Sequence, residues 1–209
     1  MDPATGLRER KKQRTREAIA DAAIAMFLEH GFDAVSCAAV AARAEVSKPT
    51  LFKHFPTKED LVVHRIADHE DELARVVRER AAGESPLAAL CRHYLAGLAA
   101  GDAITGLTDA PQVRALYRMM QAAPTLSARL REFTARRAEA LAEALAGGRP
   151  DLVSRVVAHQ ITTTLHLLAD ENVRRIAGGE TAAELHAEAV AAAEQAFEVL
   201  RSGIGDAYT

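Results

Sequence analysis

The sequence predicts an all-α fold, and three observations carry that expectation. Alanine, the strongest helix former, supplies 45 of the 209 residues. The residues that strands favour are scarce, with 7 isoleucines, 3 tyrosines and no tryptophan. Apolar residues also recur at three- and four-residue spacing in one segment after another, which is the period of a helix face. Charged residues make up 26% and hydrophobic residues 49%, a balance that excludes a disordered chain. The longest stretch free of Asp, Glu, Lys and Arg is residues 156–169, 14 in all. A membrane helix needs roughly 20 apolar residues, so no membrane partner is expected. The basic start, MDPATGLRERKKQRTR, leads into no apolar stretch and does not read as a secretory signal. Cys37 and Cys91 are too few for a disulfide scaffold or a thiolate zinc site. These features describe a helical protein of the cytoplasm.

Nine helices are predicted in order. Residues 15–30 place Ile19, Ala22, Ala23, Met26 and Phe27 on one face, and Gly31 stops the helix. Ser36 caps a short helix over 37–44, and Ser47 caps another over 48–54. Pro56 ends that one. Thr57 and Asp60 form a capping-box-like pattern that opens a fourth helix, expected to run to about residue 81 with Leu61, Val62, Ile66, Leu73 and Val76 buried. Ser85-Pro86 starts a helix that ends near Gly101, and residues 102–110 read as loop. Pro111 and Pro124 start helices over 111–122 and 125–146. Pro150-Asp151 opens one to about residue 177, stopped by Gly178-Gly179, and Thr181 with Glu184 opens the last, to about residue 200.

Charge is unevenly spread along the chain. Residues 1–56 hold 9 basic and 7 acidic residues, a net of +2, whereas residues 57–209 hold 17 and 22, a net of −5. Arg8, Arg10, Lys11, Lys12, Arg14 and Arg16 fall close together with Glu9 as the one acid among them. Such a run is either a solvated terminus or a phosphate-binding arm. The segment downstream of it favours the arm. Two short helices joined by a turn, over 37–54, fit a helix-turn-helix. Ala41 and Ala44 are small enough for a helix crossing, and Val40, Val46, Leu51 and Phe55 are spaced to meet Phe27 and Ile19. Lys48, Pro49 and Thr50 open the second helix, with Lys53 one turn on. Pro49 has no N–H, so Ser47 can cap only the amide of Thr50.

The stretch VSCAAVAARAEVSKPTLFKHFPTKEDLV resembles the DNA-binding domain of TetR/AcrR-family transcriptional regulators. That family's pattern runs Thr-x-x-x-Ile-Ala-x-x-Ala-Gly-Val-Ser-x-Gly-x-Leu-Tyr-x-His-Phe-x-x-Lys-x-x-Leu. Ala41, Ala44, Val46, Ser47, Leu51, His54, Phe55, Lys58 and Leu61 match it, with Ser36 and Val40 as close substitutes. The match covers about residues 12–62; the rest resembles the family in helix number and length. Three positions depart from the pattern. Glu45 replaces the turn glycine, which calls for a left-handed non-glycine residue at roughly 1–2 kcal/mol. Pro49 replaces a glycine, and Phe52 replaces a tyrosine whose hydroxyl in this family generally reaches a phosphate.

The resemblance implies an N-terminal three-helix DNA-binding domain with a basic arm, residues 1–56. A six-helix effector-binding and dimerisation domain, residues 57–209, comes after it. It implies DNA contacts from Ser36, Ser47, Lys48, Pro49, Thr50, Phe52, Lys53, His54 and Lys58, together with Arg14 and Arg16 of the arm. Lysine can donate to guanine, and threonine can meet a thymine methyl or a base edge. Lys58 in the first turn of its helix opposes the helix dipole unless a phosphate sits there. The alternative for each is an ordinary surface residue, and for Cys37 a small buried residue rather than a redox sensor. The last two helices carry Val153, Val156, Val157, Ile161, Leu165 and Leu168, then Leu185, Ala189, Ala192, Ala196 and Val199. By resemblance they make a homodimer bundle; the alternative is intramolecular core.

Candidates to line an effector pocket are Tyr94, Leu98, Tyr117, Met120, Phe133, Thr163 and His166, against plain core at helical spacing. His166 and Asp170 at i, i+4 could bind a metal, but such pairs are usually structural, and neither metal nor cofactor is expected. No phosphate-binding glycine loop, nucleophile motif or HExxH pattern points to an enzyme. The expected function is a homodimeric transcriptional regulator, as a repressor, that binds a palindromic double-stranded DNA operator and is released by a small, largely apolar effector. The alternative is a constitutive or architectural DNA-binding dimer.

Overall fold

The structure, a computed structural model, describes the backbone of residues 3–67 and 69–203 and the side chains of residues 10–64 and 69–203. Among the described residues it is all-helical, with ten α-helices and one 3-10 turn. Helix α1 spans Pro3–His30 and so starts well before the expected residue 15. Lysine, arginine, glutamine and glutamate all sustain helix, so the basic run extends α1 instead of forming a separate arm. Gln13 donates to Glu17 one turn on, and Gly31 ends the helix at φ 89°. The side chain of Arg8 lies outside the described residues.

Helices α2, Cys37–Arg43, and α3, Lys48–His54, come next as expected, each with its serine cap. The long fourth helix does not form as one piece. The chain makes α4, Asp60–Ala67, and then α5, Glu72–Arg78, with a turn over residues 69–71. Glu70, Asp71 and Glu72 stand consecutively there. Acidic residues favour the positive end of a helix dipole, so this cluster suits the start of a new helix better than the middle of an old one. Ile66, expected to be buried, has its side chain outside the described residues.

Helix α6, Pro86–Ala100, begins with the Ser85 hydroxyl accepting from the Ala88 amide and ends on left-handed Gly101. The expected loop contains a 3-10 turn, Ala103–Thr105, capped by Asp102. Helices α7, Pro111–Ala122, and α8, Pro124–Ala146, start at their prolines. Helices α9, Leu152–Ala177, and α10, Ala182–Ser202, each start with a complete capping box, from Asp151 with Ser154 and from Thr181 with Glu184.

The chain packs as two compact units. The first comprises Met1–Ala67 and Ala115–Leu130, and the second Asp68–Arg114 and Arg131–Thr209. In the first, Ile19, Phe27, Val40, Leu51, Phe55 and Leu61 form a core with Met120 and Leu126. The crossing of α2 and α3 against α1 therefore has the composition read from the sequence, whereas the contribution from residues 115–130 has no local signal. In the second unit, Leu73, Val77, Leu90, Leu98, Leu141, Ile161, Leu165, Leu185 and Phe197 pack together. Buried Asn172 donates to the Thr105 carbonyl at 2.8 Å and ties α9 to the 3-10 turn. Gly106 is needed beside it. Its φ is 71°, and a Cβ there would lie 2.2 Å from the Ala169 carbonyl oxygen.

Candidate nucleic-acid interface

The turn between α2 and α3 is built from short-range bonds. The Ser36 hydroxyl accepts from the Ala39 amide at 3.1 Å and fixes the start of α2. The Val46 amide donates back to Ala41 at 2.9 Å and closes the turn. Glu45 adopts φ 54°, the left-handed conformation that the missing glycine implied. The Ser47 hydroxyl accepts from the Thr50 amide at 3.2 Å, the cap that Pro49 dictates, and also lies 2.8 Å from the Thr50 hydroxyl.

Leu51 points inward and is fully buried, which turns the opposite side of α3 to solvent. Lys48, Pro49, Phe52 and Lys53 are exposed there, and Thr50 is half-buried at the first turn. The Lys48 ammonium lies 5.9 Å from the Phe52 ring centroid, so the cation rests over an exposed aromatic. Ser36 and Ser47 are exposed, but both hydroxyls serve as caps.

His54 lies at the end of α3, half-buried. Burial holds its imidazole below the usual histidine range, and Arg16, Lys12 and Lys53 push the same way. Those three cations therefore share one positive field around His54. Lys12 and Arg16 stand at i, i+4 on α1 and share a face; Arg14, exposed, falls between them on another. The fold thus sets Lys12 beside Arg16 near His54, whereas the expectation from sequence took Arg14 and Arg16 from the same run.

Arg16 and Lys58 have partners within the fold. The Arg16 Nε donates to Nδ1 of buried His64 at 3.1 Å, and its guanidinium carbon lies 5.0 Å from the Phe55 ring centroid. Lys58 Nζ donates to the Asp33 carbonyl at 3.5 Å and sits 4.5 Å from the Phe32 ring centroid. Its ammonium is thereby accommodated despite the unfavourable dipole position. At the same helix start, Thr57 and Asp60 cap one another, and Arg129 binds the Asp60 carboxylate at 2.7 Å. Burial opposes ionisation of Asp60, but the bonds from Thr57 and Arg129 outweigh it and hold the carboxyl below its usual range. Sequence reading missed Arg129 and His64, because separations of 69 and 48 residues leave no local pattern.

A family model described as bacterial regulatory proteins, tetR family, matches residues 19–64. The HTH-type transcriptional regulator TcmR of Streptomyces glaucescens is 30% identical over 125 residues. Over residues 19–64 the chain is similar to the TetR family. The TcmR match spans 59% of this chain and 55% of TcmR, about half of that protein's length. Likeness of fold to solved structures extends further than the sequence match. NalD of Pseudomonas aeruginosa, the secondary repressor of the MexAB-OprM multidrug efflux pump, superposes with a TM-score of 0.57 at 19% identity, covering 92% of this chain and 96% of NalD. FadR of Thermus thermophilus, a TetR-family transcriptional repressor in complex with lauroyl-CoA, gives 0.54 at 23% identity, covering 90% and 94%. No helix among the described residues is long and apolar enough to cross a membrane.

The residues expected to line an effector pocket are distributed over both units. Tyr94 and Leu98 are buried in the core of the second unit, and Phe133 is buried on α8. Tyr117 and Met120 pack in the core of the first unit. Thr163 and His166 are exposed on α9, where His166 Nε2 lies 3.3 Å from Asp170. The apolar residues of the last two helices also divide. Ile161, Leu165, Leu185 and Ala189 are buried, whereas Val153, Val156, Val157 and Val199 are exposed.

Proposed function

We propose that this chain is a homodimeric transcriptional regulator that represses by binding a palindromic operator and lets go when a small effector binds. The observation that carries the DNA half is the outward side of α3. Lys48, Pro49, Phe52 and Lys53 are exposed there, in one positive field with Lys12, Arg16 and His54. A rigid, capped helix with a basic outer side suits a major groove, where Lys48 and Thr50 would meet base edges and Lys53 and His54 phosphates. Ser36, Ser47 and Pro49 would hold the reader's shape, and Phe52 would give Lys48 a platform. Residues 1–56 carry this task in the proposal and residues 57–209 the others, although the reader's packing unit also includes α4 and residues 115–130.

The dimer rests on α9 and α10. Val153, Val156, Gln160, Thr163 and Leu167 repeat at alternating three- and four-residue spacing and all are exposed, with Leu167 at 63% and Val153 at 69%. Small Ala192 and exposed Val199 continue an outward stripe on α10. Such a seam suits a second copy packed as a helical bundle. Thr163 is then assigned to that seam. The effector half draws on relatives of this fold that bind small molecules, as FadR does lauroyl-CoA. Titration of the full chain with duplexes from a randomised library, with and without a metabolite collection, tests the whole reading. Sequence-selective binding that some compound reverses supports it. Selective binding that no compound reverses supports a constitutive DNA-binding dimer instead.

A further inference from the structure

Within the second unit, the turn before α5 together with α5, α6 and α8 brings four ionisable side chains into one partly buried cluster. The Glu72 carboxylate is 12% exposed and is held from two sides. His69 Nδ1 lies 2.6 Å from one oxygen and His93 Nε2 3.2 Å from the other. Those two bonds pull Glu72 far below the usual carboxylate range, and the Glu72 bond raises His69 above the usual imidazole range. Arg137, on α8, faces the same carboxylate. Burial lowers its affinity for a proton, while the charge of Glu72 acts the other way. Both Glu72 oxygens are already taken by the histidines, and Arg137 Nε is fully buried with no hydrogen-bond partner among the described residues.

A buried charged donor without an acceptor is costly, and native proteins keep few of them. The cluster has a surplus of donors. Asp102, the other carboxylate that acts on His69, accepts from the Ile104 amide at Oδ1. Glu72 already accepts from two histidines, whereas Arg137 Nε has no acceptor, so the unmet need in the cluster is for an anion. A carboxylate would complete Arg137. The rest of that α8 face is apolar: Phe133 one turn before Arg137 and Leu141 one turn after it are both buried. A phosphate has more oxygens than one unpaired donor can serve, whereas a single carboxylate on an apolar body matches one donor beside apolar neighbours.

We infer that Arg137 is the anion anchor of the effector site, and that the effector is a monocarboxylic acid with an apolar body. The inference deepens the effector reading and rests on it. Isothermal titration of the full chain with octanoate, decanoate, phenylacetate and naphthoate, each against its primary amide, tests the charge requirement. At least one acid should bind, and its amide should bind roughly tenfold or more weakly. Arg137→Met and Arg137→Gln should lose that preference. Each should also melt, without acid, at or above the wild-type temperature, because the burial cost of the guanidinium is gone; a merely structural arginine would lower it. No binding by any acid, equal binding of acid and amide, or an acid preference that survives in a folded variant overturns the inference. Operator-release assays separate the two claims. Release by a neutral compound with no acid binding sinks the acid anchor and keeps the effector reading, whereas acid binding that leaves DNA affinity unchanged does the reverse.

Discussion

Arg16 donates its Nε to Nδ1 of His64 across 3.1 Å while its guanidinium lies over the Phe55 ring, so α1, α4 and the end of α3 meet at one arginine. His64 therefore accepts at Nδ1. Arg16 contributes charge beside His54 and is at the same time a strut of the first unit.

Replacing Arg16 with methionine keeps the apolar stem and removes the bond and the ring contact. The expected loss is about 1–3 kcal/mol of stability in the first unit, read from a denaturant midpoint. An unchanged midpoint with weakened DNA binding would make Arg16 a phosphate ligand alone.

Glu45 holds φ 54° with a β-carbon, a conformation that costs a non-glycine residue roughly 1–2 kcal/mol. Glycine relieves that strain but loosens the unfolded chain by about 0.4–1 kcal/mol. Glu45→Gly should therefore raise the melting temperature modestly. A fall in the melting temperature would mean that the Glu45 side chain makes a contact that matters more than the strain.

Lys53 and Lys58 separate two roles that the sequence treated alike. Lys53 is exposed, and Lys53→Ala should lower the salt slope of DNA binding by about one while leaving stability unchanged. Lys58 covers Phe32 and reaches the Asp33 carbonyl, so Lys58→Ala should cost about 1 kcal/mol of stability as well. Equal melting curves with equal slope changes would place both lysines on phosphate alone.

The pair of Glu72 with His69 gives the second unit a pH signature. The Glu72 carboxyl is depressed from 4.5, so its contribution is present above that value and is lost as pH falls toward the native value. The His69 imidazole is raised from 6.5, so its contribution is complete below that value and is lost as pH rises through the higher native one. Stability should peak between 4.5 and 6.5. Glu72→Gln should flatten both flanks in denaturant titrations across pH. A profile unchanged by the substitution would show that other groups set it.

Local chemistry explains what was legible in the sequence. Serine caps, prolines at first helical positions and terminal glycines each act within a turn, so α2, α3, α6, α7 and the caps of α9 and α10 could be placed from sequence. The break between α4 and α5 was hidden because its acidic residues also fit the polar side of a longer helix. Pairs such as Asp60 with Arg129, or Glu72 with His93, join distant segments and leave no periodic trace. Tyr94 and Tyr117 have the same aromatic signature in sequence, and each packs in the core of a different unit. Nothing local in the sequence marks Arg137, because its neighbours Glu72 and His93 lie on distant segments.

Selection of the full chain against a randomised duplex library, and sequencing of the bound fraction, tests the central claim most directly. The account predicts an enriched inverted repeat with half-site centres about 10 base pairs apart, and a changed half-site preference for a variant altered at Lys48 and Thr50. No enrichment, or the same enriched sequence from that variant, would contradict it.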